Sequence, residues 1–160
     1  MNKILTIKKV TEVSNSLRDQ DKKIVLVGGC FDILHIGHIT FLEKAKNEVG
    51  MLFVLLEPDD KIKKIKGIDR PVNSQEDRAK ILASLTVVDY VITLPQDTTD
   101  EVYDNLVFCL KPDIIATTTG DPKRFQKERA AKLIKGRVVD VTTQISDRST
   151  TRLIKILKKL

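Results

Sequence analysis

Residues 24–46 constrain this chain more than any other stretch. A β-branched apolar run, Ile24-Val25-Leu26-Val27, ends in Gly28-Gly29 and passes through Cys30-Phe31-Asp32-Ile33-Leu34 into His35-Ile36-Gly37-His38. The residues that follow carry apolar side chains at helical spacing up to Lys46, and Gly50 stops them. This order predicts a strand, a tight turn and a helix start, the geometry in which backbone can approach a phosphate. His35 and His38 are the two histidines of the chain. Three residues apart at a helix mouth, they share a face and can donate hydrogen bonds to phosphoryl oxygens whose charge grows as a bond breaks.

The rest of the chain repeats the alternation. Residues 8–21, with Val10, Val13 and Leu17 apolar among charges, predict an amphipathic helix, and residues 52–56 a buried strand followed by the loop Glu57-Pro58-Asp59-Asp60. Ser74-Gln75-Glu76-Asp77 reads as a capping box opening a helix over Gln75–Ser84, with Ile81, Leu82 and Leu85 inward. Further strands are predicted at 89–94, 114–116 and 137–141, and further helices at 99–110, 125–134 and from Ser149 to residue 159. Thr117-Thr118-Thr119-Gly120-Asp121 then forms a second loop at a strand's carboxyl end, where doubly wound sheets bind ligands. The expectation is an α/β fold, a Rossmann-like doubly wound parallel sheet with helices on both faces. It is expected to form one domain over residues 1–160, with residues 1–22 as a lead-in packed on the core.

Composition narrows the partners. Lys and Arg outnumber Asp and Glu by 28 to 22, a formal charge of +6, which favours an anionic ligand such as a nucleoside triphosphate. Five Phe, two Tyr and no Trp leave little for base stacking, so nucleic acid is not the expected partner. Cys30 and Cys109 are too far apart in sequence to read as a metal pair and no metal site is expected; two thiols fit a reducing compartment. The opening Met1-Asn2-Lys3-Ile4-Leu5 has no long apolar core before a cleavage site, and no run is long enough to span a bilayer, so the expected setting is the cytoplasm, away from membranes. For the basic run Lys61-Ile62-Lys63-Lys64-Ile65-Lys66 two readings stand, a solvated turn of helix and a phosphate-capturing segment.

The context Gly-Gly-Cys-Phe-Asp-Ile-Leu-His-Ile-Gly-His resembles the His-x-Gly-His signature of the nucleotidyltransferase superfamily. Arg70-Pro71-Val72-Asn73 with Glu76-Asp77-Arg78, then Leu82 through Val88-Asp89-Tyr90-Val91, is similar to the central segment of bacterial heptose 1-phosphate adenylyltransferases and, less closely, of glycerol-3-phosphate cytidylyltransferase. Ser149-Thr150-Thr151 resembles the motif both families place at the start of their last helix. The resemblance implies transfer of a nucleoside monophosphate from a triphosphate, ATP ahead of CTP, to a sugar or polyol phosphate, with pyrophosphate released. It implies His35 and His38 as stabilisers of the reacting α-phosphate and Lys46 as a counter-charge for the β- and γ-phosphates. Gly29, Cys30, Phe31, Gly37, Arg70, Arg78, Asp121, Ser149 and Thr150 would contact the nucleotide.

Read on its own, Arg78 also fits a pair with Glu76 or a cap on its own helix, Ser149 fits a plain N-cap, and Asp32 fits a hydrogen-bonded brace for its loop. Mg²⁺ would arrive bound to the triphosphate, and a homodimer is implied by the resemblance alone. Two departures stand out: Thr117-Thr118-Thr119-Gly120-Asp121 replaces a Lys-Gly-Gly-Asp-like loop, and Glu57-Pro58-Asp59 replaces an Asn-Ser-Asp loop. Both bear on which acceptor is taken. A CTP-dependent enzyme of the glycerol-3-phosphate type and a non-catalytic nucleotide sensor are the alternatives.

Overall fold

Side chains on a strand point to alternate faces, and here that alternation sorts the apolar runs into two cores. The computed structural model describes residues 2–48, 50–143 and 154. Its strands are β1 (Ile4–Leu5), β2 (Ile24–Gly29), β3 (Met51–Leu56), β4 (Tyr90–Thr93), β5 (Ile114–Thr119) and β6 (Arg137–Thr143). Its helices are α1 (Ile7–Arg18), α2 (Ile36–Lys46), α3 (Asp59–Lys66), α4 (Gln75–Ser84), α5 (Asp100–Leu110) and α6 (Arg124–Leu133). Ile24, Leu26, Phe53, Leu55 and Ile92 face α1, α5 and α6, packing on Val10, Leu17, Leu106, Leu110 and Ala131. Val25, Val27, Leu52, Val54, Leu56 and Val91 face the other way, onto Leu42, Ala45, Ala79 and Leu82 of α2 and α4.

The strands are parallel in the order β1-β4-β3-β2-β5-β6. From central β2 the chain winds outward through β3 to β4 on one side, then returns to β5 and leaves through β6 on the other. The connections after β2 and β5 therefore part company, leaving a crevice at the carboxyl ends of these neighbours, the place where such sheets bind ligands. Four residues project into the same region from the ends of β2 and β3 and the turn beyond: Gly28, Gly29, Cys30 and Glu57.

Local chemistry sets the boundaries. Ser74 Oγ accepts from the Asp77 amide at 3.2 Å and caps α4 over the expected span; Thr99 Oγ1 caps α5 by accepting from Val102. Two expectations need correction. Ile81 is 40% exposed, because Arg78, Ala79 and Leu82 form the buried stripe of α4. Leu5, expected within a lead-in, pairs with Ile92 as an edge strand, a register that only the distant β4 supplies. The predicted helix after Ser149 lies outside the described residues. Among the described residues no helix is long and apolar enough to cross a membrane.

The α2–β3 turn depends on Gly50, at φ +149°, where an added Cβ would lie 2.3 Å from the Lys23 carbonyl oxygen that accepts the Met51 amide. Gly50→Ala is therefore expected to destabilise the fold by about 1–3 kcal/mol, read as a lowered urea midpoint; an unchanged midpoint would refute this account of the turn.

Candidate active site

The site is assembled on the turn between β2 and α2. Phe31 takes a left-handed backbone (φ +44°) and folds its ring over Gly29, where a Cβ would meet that ring at 2.9 Å. The ring of His38 lies 5.2 Å from Phe31, and the His35 and His38 rings stack with centroids 3.8 Å apart. His35 is the N-cap of α2, its carbonyl accepting from His38 and Ile39, so both imidazoles stand at the helix mouth. The first amides of α2 have no intrahelical acceptor, and the helix dipole adds partial positive charge there. The Nδ1 atoms of both rings are buried and have no hydrogen-bond partner among the described residues. Burial lowers the His38 pKa to about 4, with His35 and Lys66 adding to the effect; burial and then Lys66 lower His35. At neutral pH both imidazoles are uncharged and lie beside the cation of Lys66.

A second layer fixes the turn from beneath. The Asp32 carboxylate accepts Arg70 Nε at 2.6 Å and the amides of Val72 and Asn73 at 2.8 and 3.0 Å, while Asn73 Nδ2 donates to the Asp32 carbonyl. Burial alone would raise the Asp32 pKa, but the Asn73 and Val72 amides and Arg70 outweigh it and the net direction is down. Asp32 thus acts as the loop's brace, as its place in the turn suggested. Held this way, Arg70 keeps a buried NH2 with no partner among the described residues.

Arg78 is placed differently from the expectation. It is fully buried and donates to the carbonyls of Asn73 (3.1 Å), Cys30 (2.6 Å) and Glu57 (2.9 Å) and to Asp59 Oδ1 (2.6 Å). Its bonds go to the protein, so it gathers the loop ends from below and is not brought to the pocket surface; its carboxylate partner is Asp59, not Glu76.

Lys46 is not brought to the histidines either. It ends α2, eleven residues long, about 16 Å from the helix start at 1.5 Å per residue. There it pairs with Asp89 and donates to the Gly50 carbonyl at 3.0 Å, beside the amino ends of β3 and β4. The cation that acts on both imidazoles is Lys66, at the end of α3, from the basic run whose role the sequence left open.

On the opposite flank of Gly28–Cys30, a cavity of about 190 Å³ opens between α3, α5 and α6. Asp121 reaches its wall, accepting from Thr117 Oγ1 and Lys127 Nζ at 2.5 Å each. Tyr103, Asp104, Gln126 and Arg129 also line it; no local sequence pattern pointed to them, because only the return from β4 to β5 brings α5 and α6 beside β2. Ser149 and Thr150 lie outside the described residues.

Residues 26–156 match the model of the family described as cytidylyltransferase-like. The chain belongs to this family. It is 38% identical over 156 residues to the bifunctional protein HldE of Campylobacter fetus, spanning 98% of this chain and 31% of that protein. It is 47% identical over 103 residues to the bifunctional protein HldE of Nitratiruptor, covering 64% and 21%. The chain thus spans about a fifth to a third of the length of these curated relatives. Among solved structures, the lipopolysaccharide core biosynthesis protein of Thermoplasma volcanium superposes with a TM-score of 0.62 at 25% identity, over 76% of this chain and 96% of that one. Pantoate-beta-alanine ligase of Francisella tularensis gives 0.67 at 20% identity, over 98% and 76%, a likeness of fold. The sheet order places the turn after β2 at the crevice.

Two outcomes follow from the geometry. Replacing Arg78 with Met leaves three carbonyls and Asp59 without their donor and is expected to cost about 3–5 kcal/mol, read by urea unfolding. In a proton NMR titration the His38 ring should stay neutral until the pH falls to about 4, and a bound polyphosphate should raise that value, because an anion favours the charged ring. A His38 titrating at its ordinary value without ligand would refute the description of its surroundings.

Proposed function

We propose that this chain transfers a nucleoside monophosphate from a nucleoside triphosphate, ATP ahead of CTP, to a sugar phosphate, releasing pyrophosphate. The observation that carries the reading is the pair of stacked, neutral imidazoles at the mouth of α2, whose Nδ1 atoms have no partner among the described residues, with Lys66 beside them and Arg70 held by Asp32 in the same turn. Such donors, fixed before the ligand arrives, stabilise charge that develops on phosphoryl oxygens and need no reorganisation as it does so.

An oxygen of the acceptor's phosphate attacks the α-phosphorus in line, the bond from that phosphorus to the bridging oxygen of the β-phosphate breaks, and pyrophosphate leaves with the electron pair. His35 and His38 donate to the α-phosphate and the departing oxygens; Arg70 and Lys66 balance the charge of the leaving group. No covalent intermediate on the protein is required, so neither Cys30 nor a serine is assigned a nucleophile's part.

The unpartnered imidazole nitrogens and cations suit phosphate oxygens better than a bare cation. Mg²⁺ is assigned to the substrate, bound through the triphosphate, where it would neutralise phosphate charge.

ATP is favoured by the similarity of residues 70–91 to the heptose 1-phosphate adenylyltransferases. The family description favours the CTP reading, and base selection turns on hydrogen bonds that discriminate strongly once a site is built for them.

Pyrophosphate release with ATP and with CTP, each against heptose, hexose and glycerol phosphates, tests the proposal. His35→Ala and His38→Ala are each expected to lower kcat on the order of a hundred- to a thousandfold. Lys66→Ala should lower activity, whereas Lys46→Ala should cost stability and spare kcat. Activity that survives both histidine substitutions would overturn the mechanism, and a collapse of kcat in Lys46→Ala would overturn the assignment of cations.

A further inference from the structure

Lys66, the cation that acts on both imidazoles, sits in an exposed stretch, residues 63–69, between the buried side chains of Ile62 and Arg70. Its helix, α3, is eight residues long, too short to hold itself in water. The first turn is where α3 is fixed. Both oxygens of the Asp59 carboxylate are committed, Oδ1 to Nη2 of Arg78 at 2.6 Å and Oδ2 to the Gln75 amide at 3.3 Å, and the Asp60 amide donates to Gln96 Oε1 at 3.2 Å. Gln75 carries this clamp on to the sheet. Its side-chain Nε2 has two hydrogens and donates to the Leu56 carbonyl at 3.0 Å and the Leu94 carbonyl at 2.8 Å, at the end of β3 and just past the end of β4. Leu56 and Leu94 are buried, so their carbonyls depend on partners within the protein. Arg78 completes the link, because the guanidinium that takes Asp59 also takes the Cys30 carbonyl in the signature turn.

The start of α3 is thereby referenced both to the strand ends and to the turn that carries the imidazoles. Its charge pattern suits this arrangement, with Asp59 and Asp60 in the first turn and Lys63, Lys64 and Lys66 in the last complementing the helix dipole. A helix is also a stiff lever. At 1.5 Å per residue Lys66 stands about 10 Å along the axis from Asp59, so a tilt of a few degrees at the first turn moves the ammonium by about 1 Å. We propose that Asp59 and Gln75 are positioning residues for the transfer, fixing the first turn of α3 so that Lys66 at its far end is held beside the imidazoles. The inference rests on the transferase reading and deepens it. Neither residue is asked to touch the reacting atoms; both act through Lys66, so their loss is felt only as far as Lys66 is felt.

A double-mutant cycle on the full chain tests this dependence. Asp59→Asn keeps an oxygen for Arg78 but turns an NH2 toward the Gln75 amide, a donor against a donor. Gln75→Leu removes both bonds to the strand ends and leaves Asp59 and Arg78 paired, so it repeats the measurement should Asp59→Asn fail to fold. Each is made alone and together with Lys66→Met. Alone, each should lower kcat for pyrophosphate release roughly tenfold to a hundredfold, the cost of a misplacement near 1 Å. In the Lys66→Met background the same substitutions should lower it further by no more than about twofold.

The His38 ring supplies a second readout that needs no substrate. Burial is the main reason it stays neutral, with His35 and then Lys66 adding to it. Lys66→Met should therefore raise the midpoint of its proton NMR titration, and Asp59→Asn and Gln75→Leu should each move it in the same direction by no more than Lys66→Met does. Losses in kcat that multiply with that of Lys66→Met, single variants that leave kcat unchanged, or a His38 midpoint that Asp59→Asn and Gln75→Leu leave in place would each overturn the assignment and make both residues parts of the scaffold alone. The transferase reading falls separately: an unsubstituted chain that releases no pyrophosphate would sink that reading, while the His38 midpoints would still decide whether the first turn of α3 places Lys66.

Discussion

One guanidinium holds the working end of this molecule together. Arg78 is fully buried, yet its hydrogen bonds run to the loop after β2, the loop after β3, the start of α3 and the turn before α4. A buried charge is expensive to desolvate, and it is tolerated where hydrogen bonds and an ion pair surround it. Three stretches of chain, at Cys30, at Glu57 and Asp59, and at Asn73, are thereby fixed to a common planar fork. Its rigidity is passed upward. The Cys30 carbonyl and the Asp32 brace lie within two residues of Gly29 and Phe31, and Asn73 bonds to Asp32, so the imidazoles and Arg70 inherit their positions from a residue whose own bonds go to the protein.

The fold was legible in the sequence because its signals are local. Apolar runs ending in Gly or Pro marked the strands, Ser74 marked the start of α4, and strict alternation of strand and helix left a doubly wound sheet as the consistent arrangement. The edge strand was not legible: two residues carry too little pattern, and Leu5 becomes a strand only through its pairing with Ile92. The site was legible in part for the same reason. His35 and His38 could be read from the turn that carries them. The resemblance implied Lys46 as a counter-charge for the phosphates, but a helix of three turns carries it to the amino ends of β3 and β4, beside Asp89 and Gly50. Lys66, farther away in sequence, is the nearer charge in space. Asp104 and Tyr103 could not be found at all without the topology that turns α5 toward β2.

The electrostatic character of the two flanks is opposite in kind. Around the imidazoles burial keeps the rings neutral beside the cation of Lys66; around the cavity Asp104, Glu57 and Asp121 are each met by a base.

Gly29 gives that strip an unusual kind of vulnerability. Its backbone angles are ones any residue could adopt, and the neighbour an added methyl would strike is the edge of the Phe31 ring, at 2.9 Å. That ring is the same one that rests against His38. One added methyl group at this point would leave both apolar cores intact and still push on the imidazole through a single intervening ring. Position 29 is thus constrained by the aim of another side chain rather than by the needs of its own backbone, and a lesion there would belong to the class of alleles that yield abundant, well-folded and idle protein.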